Sequence, residues 1–224
     1  VAEWFGAWQQ RLLGPSSAPA TPQQVDAMRE LVRRGMADGA LVMTTGLYYA
    51  PQSYATTEEV IAVAKGIGAD GVYNSHLRDE SSYTIGLVGA VREALRIGRE
   101  AGIAVNVSHI KALGVDVWGK SDSVIAIIRA ARAAGQKVTA DQYPYTASGS
   151  SVGSSLLPRW AEAGDTLRAI VANAATRARL VREMGDNLRR RGGPASLLMT
   201  STRDSTILGK TLEECVRISR PVER

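Results

Sequence analysis

Four glycines recur at a nearly constant interval along the chain: Gly39, Gly71, Gly102 and Gly135, separated by 32, 31 and 33 residues. Each precedes a short β-prone run, at residues 40–47, 72–76, 103–109 and 137–143. Regular spacing of this size marks one supersecondary unit used repeatedly. A glycine at each junction suits the left-handed backbone that ends a helix and returns the chain to a strand.

Between the runs, apolar residues follow helical spacing. Thr56-Thr57-Glu58-Glu59 reads as a capping box ahead of Val60, Ile61, Val63 and Ala64. Ile85, Leu87, Val88, Val91, Leu95 and Ile97 form a stripe ending at Gly102, and Ser121 is placed to cap a helix carrying Val124, Ile127, Ile128 and Ala131. Upstream, Thr21-Pro22 supplies a cap and a first-turn proline before Val25, Met28, Leu31 and Val32.

Strand, loop, helix, glycine, repeated four times, predicts an α/β fold with a parallel sheet. A complete (β/α)₈ TIM-like barrel takes about 250 residues. Here the four βα units end near residue 145 of 224. The expected organisation is an N-terminal segment (1–21), a partial barrel (22–147), and a serine-rich loop with an α+β insertion (148–224). Within that last part, residues 165–191 read as helix, 196–202 as strand, and a final helix starts near Thr211. Val1 is no initiator Met and the polar 220–224 follows a helix directly, so the chain reads as an internal fragment.

Composition narrows the function classes. No apolar run approaches the ~18 residues of a membrane span. A single cysteine, Cys215, excludes an internal disulfide framework and fits a reducing, cytoplasmic compartment. The net charge of +5 is spread along helices and interleaved with acids. Only Arg189-Arg190-Arg191 forms a run; without aromatic neighbours it reads as a solvated helix end rather than a nucleic-acid surface. The sequence carries no signal of oligomeric state.

The chain has two histidines, His76 and His109, 33 residues apart, each closing a β-prone run as Ser-His. In a parallel barrel, reactive groups project from the C-terminal strand ends, where Thr44, Thr45 and the Asp141-Gln142-Tyr143 segment also fall. Two imidazoles at equivalent ends of successive strands point to a shared metal ion. Zinc sites take at least three protein ligands as a rule, so two histidines need further donors. A competing motif is Gly114-Val115-Asp116-Val117-Trp118-Gly119-Lys120-Ser121, which fits the phosphate-loop pattern GxxxxGK[ST]. Asp116 would repel the anion and the bulky residues restrict the backbone, so Gly-Lys-Ser reads better as the start of a helix.

Thr44-Thr45-Gly46-Leu47-Tyr48-Tyr49-Ala50-Pro51, His76-Leu77-Arg78-Asp79-Glu80, Ser108-His109-Ile110-Lys111, Trp118-Gly119-Lys120-Ser121 and Ala140-Asp141-Gln142-Tyr143-Pro144-Tyr145-Thr146-Ala147 follow in this order. Together, over most of the chain, they resemble the N-acyl-D-amino-acid deacylases (D-aminoacylases) of the amidohydrolase superfamily. The resemblance implies that the four units are strands four to seven of a barrel. It implies that His76 and His109 are zinc ligands, and that Tyr49, Lys111 and a serine of the following loop (Ser148 or Ser150) line the substrate pocket. Tyr143 is then the group that hydrogen-bonds the scissile carbonyl, while Arg78, Asp79 and Glu80 brace the loop. The family's upstream His-x-His motif, ligand cysteine and general acid/base aspartate are missing, and Asp204 falls in the insertion. An isolated chain of this composition is expected to be inactive. The implied activity is amide hydrolysis of a small N-acyl-D-amino acid; a cyclic-amide hydrolase related to dihydroorotase or hydantoinase, and a nucleotide-binding protein using Lys120, are the rivals.

Overall fold

A computed structural model describes residues 2–14, 17–162 and 166–219. Five parallel strands form one sheet in chain order: β1 (Ala2–Trp4), β2 (Val42–Gly46), β3 (Val72–His76), β4 (Ala104–Val107) and β5 (Val138–Ala140). Helices α1 (Phe5–Leu13), α2 (Pro22–Ala37), α3 (Thr57–Ala64), α4 (Gly86–Ala101) and α5 (Ser121–Ala133) connect or follow them. The strand–helix alternation read from the glycines is therefore present. β1 adds a strand the glycine spacing did not announce; three residues running straight into a helix leave no period to read.

Three of the four glycines take positive φ: Gly39 at 100°, Gly102 at 73° and Gly135 at 86°. Gly71 does not, and its reason is space. A Cβ there would lie 2.3 Å from Ile67 Cγ2 and 2.6 Å from Met36 Cε. Helix α2 begins with the expected cap, as Thr21 and Gln24 exchange side-chain bonds with each other's backbone N–H. At α5 the expectation fails. Lys120 holds the N-cap without a side-chain bond, and Ser121 is already the first helical residue.

One face of the sheet packs on the helices. Met43, Tyr73, Val105 and Val107 are buried there against Val32, Val60, Val91 and Ile97. Tyr73, burial-driven to a pKa of about 12, finds its hydroxyl partner in Thr45 at 2.7 Å. The alternate residues face the other way, as a two-residue strand period requires. On that face Asn106 Nδ2 donates to Asn74 Oδ1 (2.8 Å), and Thr139 Oγ1 donates to Asn106 Oδ1 (2.7 Å). A polar row therefore crosses three strands just below their C-terminal ends.

Beyond β5, the serine-rich loop leads into α6 (Val152–Leu156), capped by Ser151 accepting from Ser154 N–H. Helices α7 (Thr166–Ala172), α8 (Ala174–Arg190) and α9 (Leu212–Ser219) follow. Residues 196–202 are not the expected strand: only an isolated antiparallel bridge, Leu198 to Thr211, forms there. Leu197 and Met199 make backbone bonds with residues 209–212, but the pairing stops there and Leu198 is 54% exposed. No helix among the described residues is long and apolar enough to cross a membrane.

Candidate metal and substrate site

The strand register sets the site. Gly46 pairs with His76, and Ser108 N–H donates to Ser75 O (3.0 Å), so the ends of β2, β3 and β4 stand at one level. His76 and His109 meet there edge to face, ring centroids 4.6 Å apart. Tyr48 stacks near His76 at 5.6 Å, and Tyr49 approaches it edge-on at 5.0 Å.

His109 is held in an unusual backbone state. Its φ is 36°, in the left-handed region that a non-glycine residue seldom adopts. Asp141 secures it by accepting the His109 N–H at 2.6 Å. A hydrogen bond from Asn106 holds the Asp141 carboxyl below its usual range, and this N–H helps. The sequence of β5 and its following loop thus fixes a residue at the end of β4.

Glu80 joins the histidines. Its Oε1 lies 3.3 Å from His109 Nδ1 and 4.0 Å from His76 Nδ1, with the side chain only 3% exposed. The three residues offer donor atoms that all lie within 4.8 Å of one another. Burial pushes the Glu80 carboxyl up, but His109, His76 and Lys111 together outweigh it and leave the pKa lowered. Burial lowers the His76 pKa and favours neutral imidazole. His76 Nδ1 is 3.0 Å from Leu77 O; a proton placed on Nδ1 for that bond leaves Nε2 with its lone pair outward. A carboxylate and neutral imidazoles are the forms in which these groups bind metal, so the donor set fits a divalent ion. Lys111 Nζ bonds both Glu80 Oε1 and, at 2.8 Å, His109 Nδ1, so a metal would compete with this ammonium for those lone pairs.

These groups open into a cavity of about 300 Å³. Tyr49, Lys111, Tyr143, Ser148 and Ser150, the residues singled out as substrate-lining, all border it, together with Tyr48, Tyr145 and Arg191. Tyr143 is notable for what it lacks. Its hydroxyl is buried without a hydrogen-bond partner, Ser148 lying beside it but outside bonding geometry. Burial, then the Glu80 charge, raises its pKa. A larger cleft, about 840 Å³, lies at the opposite strand ends between α4 and α5, lined by residues such as Leu95, Ile103 and Ile127. No candidate metal ligand borders it.

Two of the surroundings differ from the sequence reading. Glu80, a loop brace by the sequence reading, lies instead beside the two imidazoles. Bracing falls to Asp79, which accepts from the N–H groups of Ser81, Thr84 and Gly86, and to Arg78, which grips Glu93. The arginine run is only in part a solvated helix end: Arg189 is 58% exposed, whereas Arg191 is half-buried. Arg189 forms a two-pronged bond to Asp116 (2.9 and 3.0 Å), and Arg191 donates to the hydroxyls of Tyr83 and Tyr48. Asp116, which weakened the phosphate-loop reading by its charge, is therefore tied to the end of α8. Cys215 is buried on α9 as a free thiol, outside the donor cluster.

The resemblance read from the motifs is borne out by comparison with known proteins. The chain is 42% identical to the D-aminoacylase of Alcaligenes xylosoxydans xylosoxydans over 129 residues, covering 57% of this chain and 26% of the relative. It is 35% identical over 155 residues to that organism's N-acyl-D-glutamate deacylase, covering 69% and 30%. Among solved structures, a D-aminoacylase described as defining a subset of amidohydrolases matches with a TM-score of 0.58 at 36% identity, over 62% of this chain and 29% of that one. The N-acyl-D-glutamate deacylase of Bordetella bronchiseptica, solved with zinc and a phosphonate mimic of the tetrahedral intermediate, matches with a TM-score of 0.54 at 35% identity, over 58% and 27%. The chain spans about a quarter to under a third of the length of the relatives it matches. No family model matches it.

Proposed function

We propose that the full-length protein hydrolyses the amide of N-acyl-D-amino acids, releasing a carboxylate and a free D-amino acid, with zinc at the His76–Glu80–His109 cluster. One observation carries this reading. The only two histidines of a chain similar to several such deacylases converge, with a buried carboxylate, on a single cavity.

Zinc bound there supplies carbonyl polarisation and a water acidified to a pKa of about 7. The chain's own residues do the rest. His76 and His109 present imidazoles from adjacent strand ends, and Glu80 offsets the charge of the ion. Tyr143 borders the cavity and has an unpartnered hydroxyl, which would donate to the oxygen on which charge develops. Lys111 and the Ser148 and Ser150 hydroxyls hold the substrate's α-carboxylate. The aromatic pair Tyr48 and Tyr49 walls off water from the imidazoles. The proton for the departing amine is assigned to an acid outside this chain, so the isolated 224 residues are expected to be inactive. The lone free thiol Cys215 accords with a cytoplasmic setting.

The test is a substrate panel on the full-length protein with metal analysis in parallel. Hydrolysis of N-acetyl-D-amino acids, slower or absent on the L-forms and lost with chelation, is expected. Preference for cyclic amides, or full turnover in the metal-stripped protein, would overturn the assignment.

A further inference from the structure

Resting on that deacylase reading, we propose that Arg191 recognises a second carboxylate, on the substrate's side chain, and so selects N-acyl-D-glutamate over its neutral isostere N-acyl-D-glutamine. Arg191 follows the last residue of α8 and reaches back across 143 positions to Tyr48, donating from Nη2 to the Tyr48 hydroxyl at 2.8 Å. Its Nε donates to the Tyr83 hydroxyl. Both partners are neutral phenols. Lys111 and Arg189 have acidic partners in Glu80 and Asp116, while Arg190 bonds Asn187 and does not border this cavity. Among the described residues no acidic side chain forms an ion pair with Arg191, although it is half-buried and borders the cavity.

A guanidinium has five N–H donors, and the two phenols occupy only part of that fork. A desolvated cation without a counter-charge favours an incoming anion, and the planar fork suits a carboxylate. Position then chooses which carboxylate. The α-carboxylate sits on the carbon bearing the scissile amide nitrogen, so it must bind close to the imidazoles, where Lys111 lies. Arg191 is one tyrosine further out: the Tyr48 ring stands 5.6 Å from the His76 ring, and its far hydroxyl meets Arg191. A carboxylate carried on two methylenes spans that extra reach.

The experiment compares wild type, Arg191→Gln and Arg191→Lys in the full-length protein. Substrates are N-acetyl-D-glutamate and N-acetyl-D-glutamine, with kcat and KM read separately. Binding of glutarate and of glutaramate is measured by calorimetry alongside. In Arg191→Gln the glutamate-to-glutamine ratio of kcat/KM should fall about 10- to 100-fold through KM, the scale of a charge-assisted hydrogen bond. Arg191→Lys should recover part of it. Equal losses on both substrates would overturn the proposal, as would an unchanged ratio. If wild type cleaves neither substrate, the deacylase reading fails by itself. Glutarate binding still decides the carboxylate claim: weakened by Arg191→Gln it stands, unaltered it falls.

Discussion

Gly114 and Arg190 meet backbone to backbone: a Cβ on Gly114 would lie 2.2 Å from the Arg190 carbonyl oxygen. The loop after β4 can therefore receive the end of α8 only because residue 114 has no side chain. Its φ of 94° adds a second reason for glycine. Gly114→Ala should destabilise the protein by about 2 kcal/mol or more, combining overpacking with backbone strain. Because Arg191 follows directly, the same change should also loosen the Tyr48 and Tyr83 bonds. Chemical denaturation gives the first effect; faster hydrogen exchange at the α8 C-terminus gives the second.

Glu80 is placed to share the ion with the two imidazoles, or to orient them by charge. Either way Glu80→Gln, nearly isosteric, should raise the metal dissociation constant about 10- to 100-fold. Competition with a chromophoric chelator measures it. Metal content and affinity equal to wild type would remove Glu80 from the site.

The Tyr143 hydroxyl contributes nothing to folding that a phenylalanine would lose, since its oxygen is buried without a partner. Tyr143→Phe should therefore leave the melting temperature unchanged or slightly higher. If the hydroxyl stabilises developing charge, kcat should drop about 10²-fold in the same variant. A drop in stability with kcat intact would reverse the assignment.

Asp116 titrates with the docking of α8. The Arg189 guanidinium beside it, followed by Ser82, holds its carboxyl at about 2 instead of 3.8. A folded-state pKa below the unfolded one means stabilisation that is complete above about pH 4 and disappears as pH falls towards 2. Asp116→Asn should lower the neutral limb of the melting curve slightly, since exposed pairs are weak, and converge with wild type near pH 2, so that the acid limb is flatter in that window. An acid limb identical to wild type would show that the pair does not couple to folding.

Much of this was legible beforehand. Local periodicity and glycine spacing revealed the strands, and the Ser-His pairs revealed the imidazoles, because both signals lie within a few neighbouring residues. Glu80 and Arg191 were misjudged for one shared physical reason. Glu80 reaches His109 through a non-helical turn after β3 that Asp79 organises, and Arg191 reaches Tyr48 across 143 residues. Neither geometry leaves a mark in adjacent sequence. Ser121 misses the cap because the helix starts one residue earlier, with Lys120 at the N-cap. The run 196–202 reads as a strand by composition, but its pairing with 209–212 amounts to a single bridge, because composition does not set how long a neighbour stays alongside.

The in-register pairing of β2, β3 and β4 carries a practical consequence. A slip of one residue in β3 would swing the His76 imidazole to the helix-packed face. Under the proposed metal site, both rings would reach a common ion under one alignment alone. Metal uptake therefore acts as a gauge of strand alignment: a chromophoric ion added during refolding should change colour only once β3 and β4 have locked together.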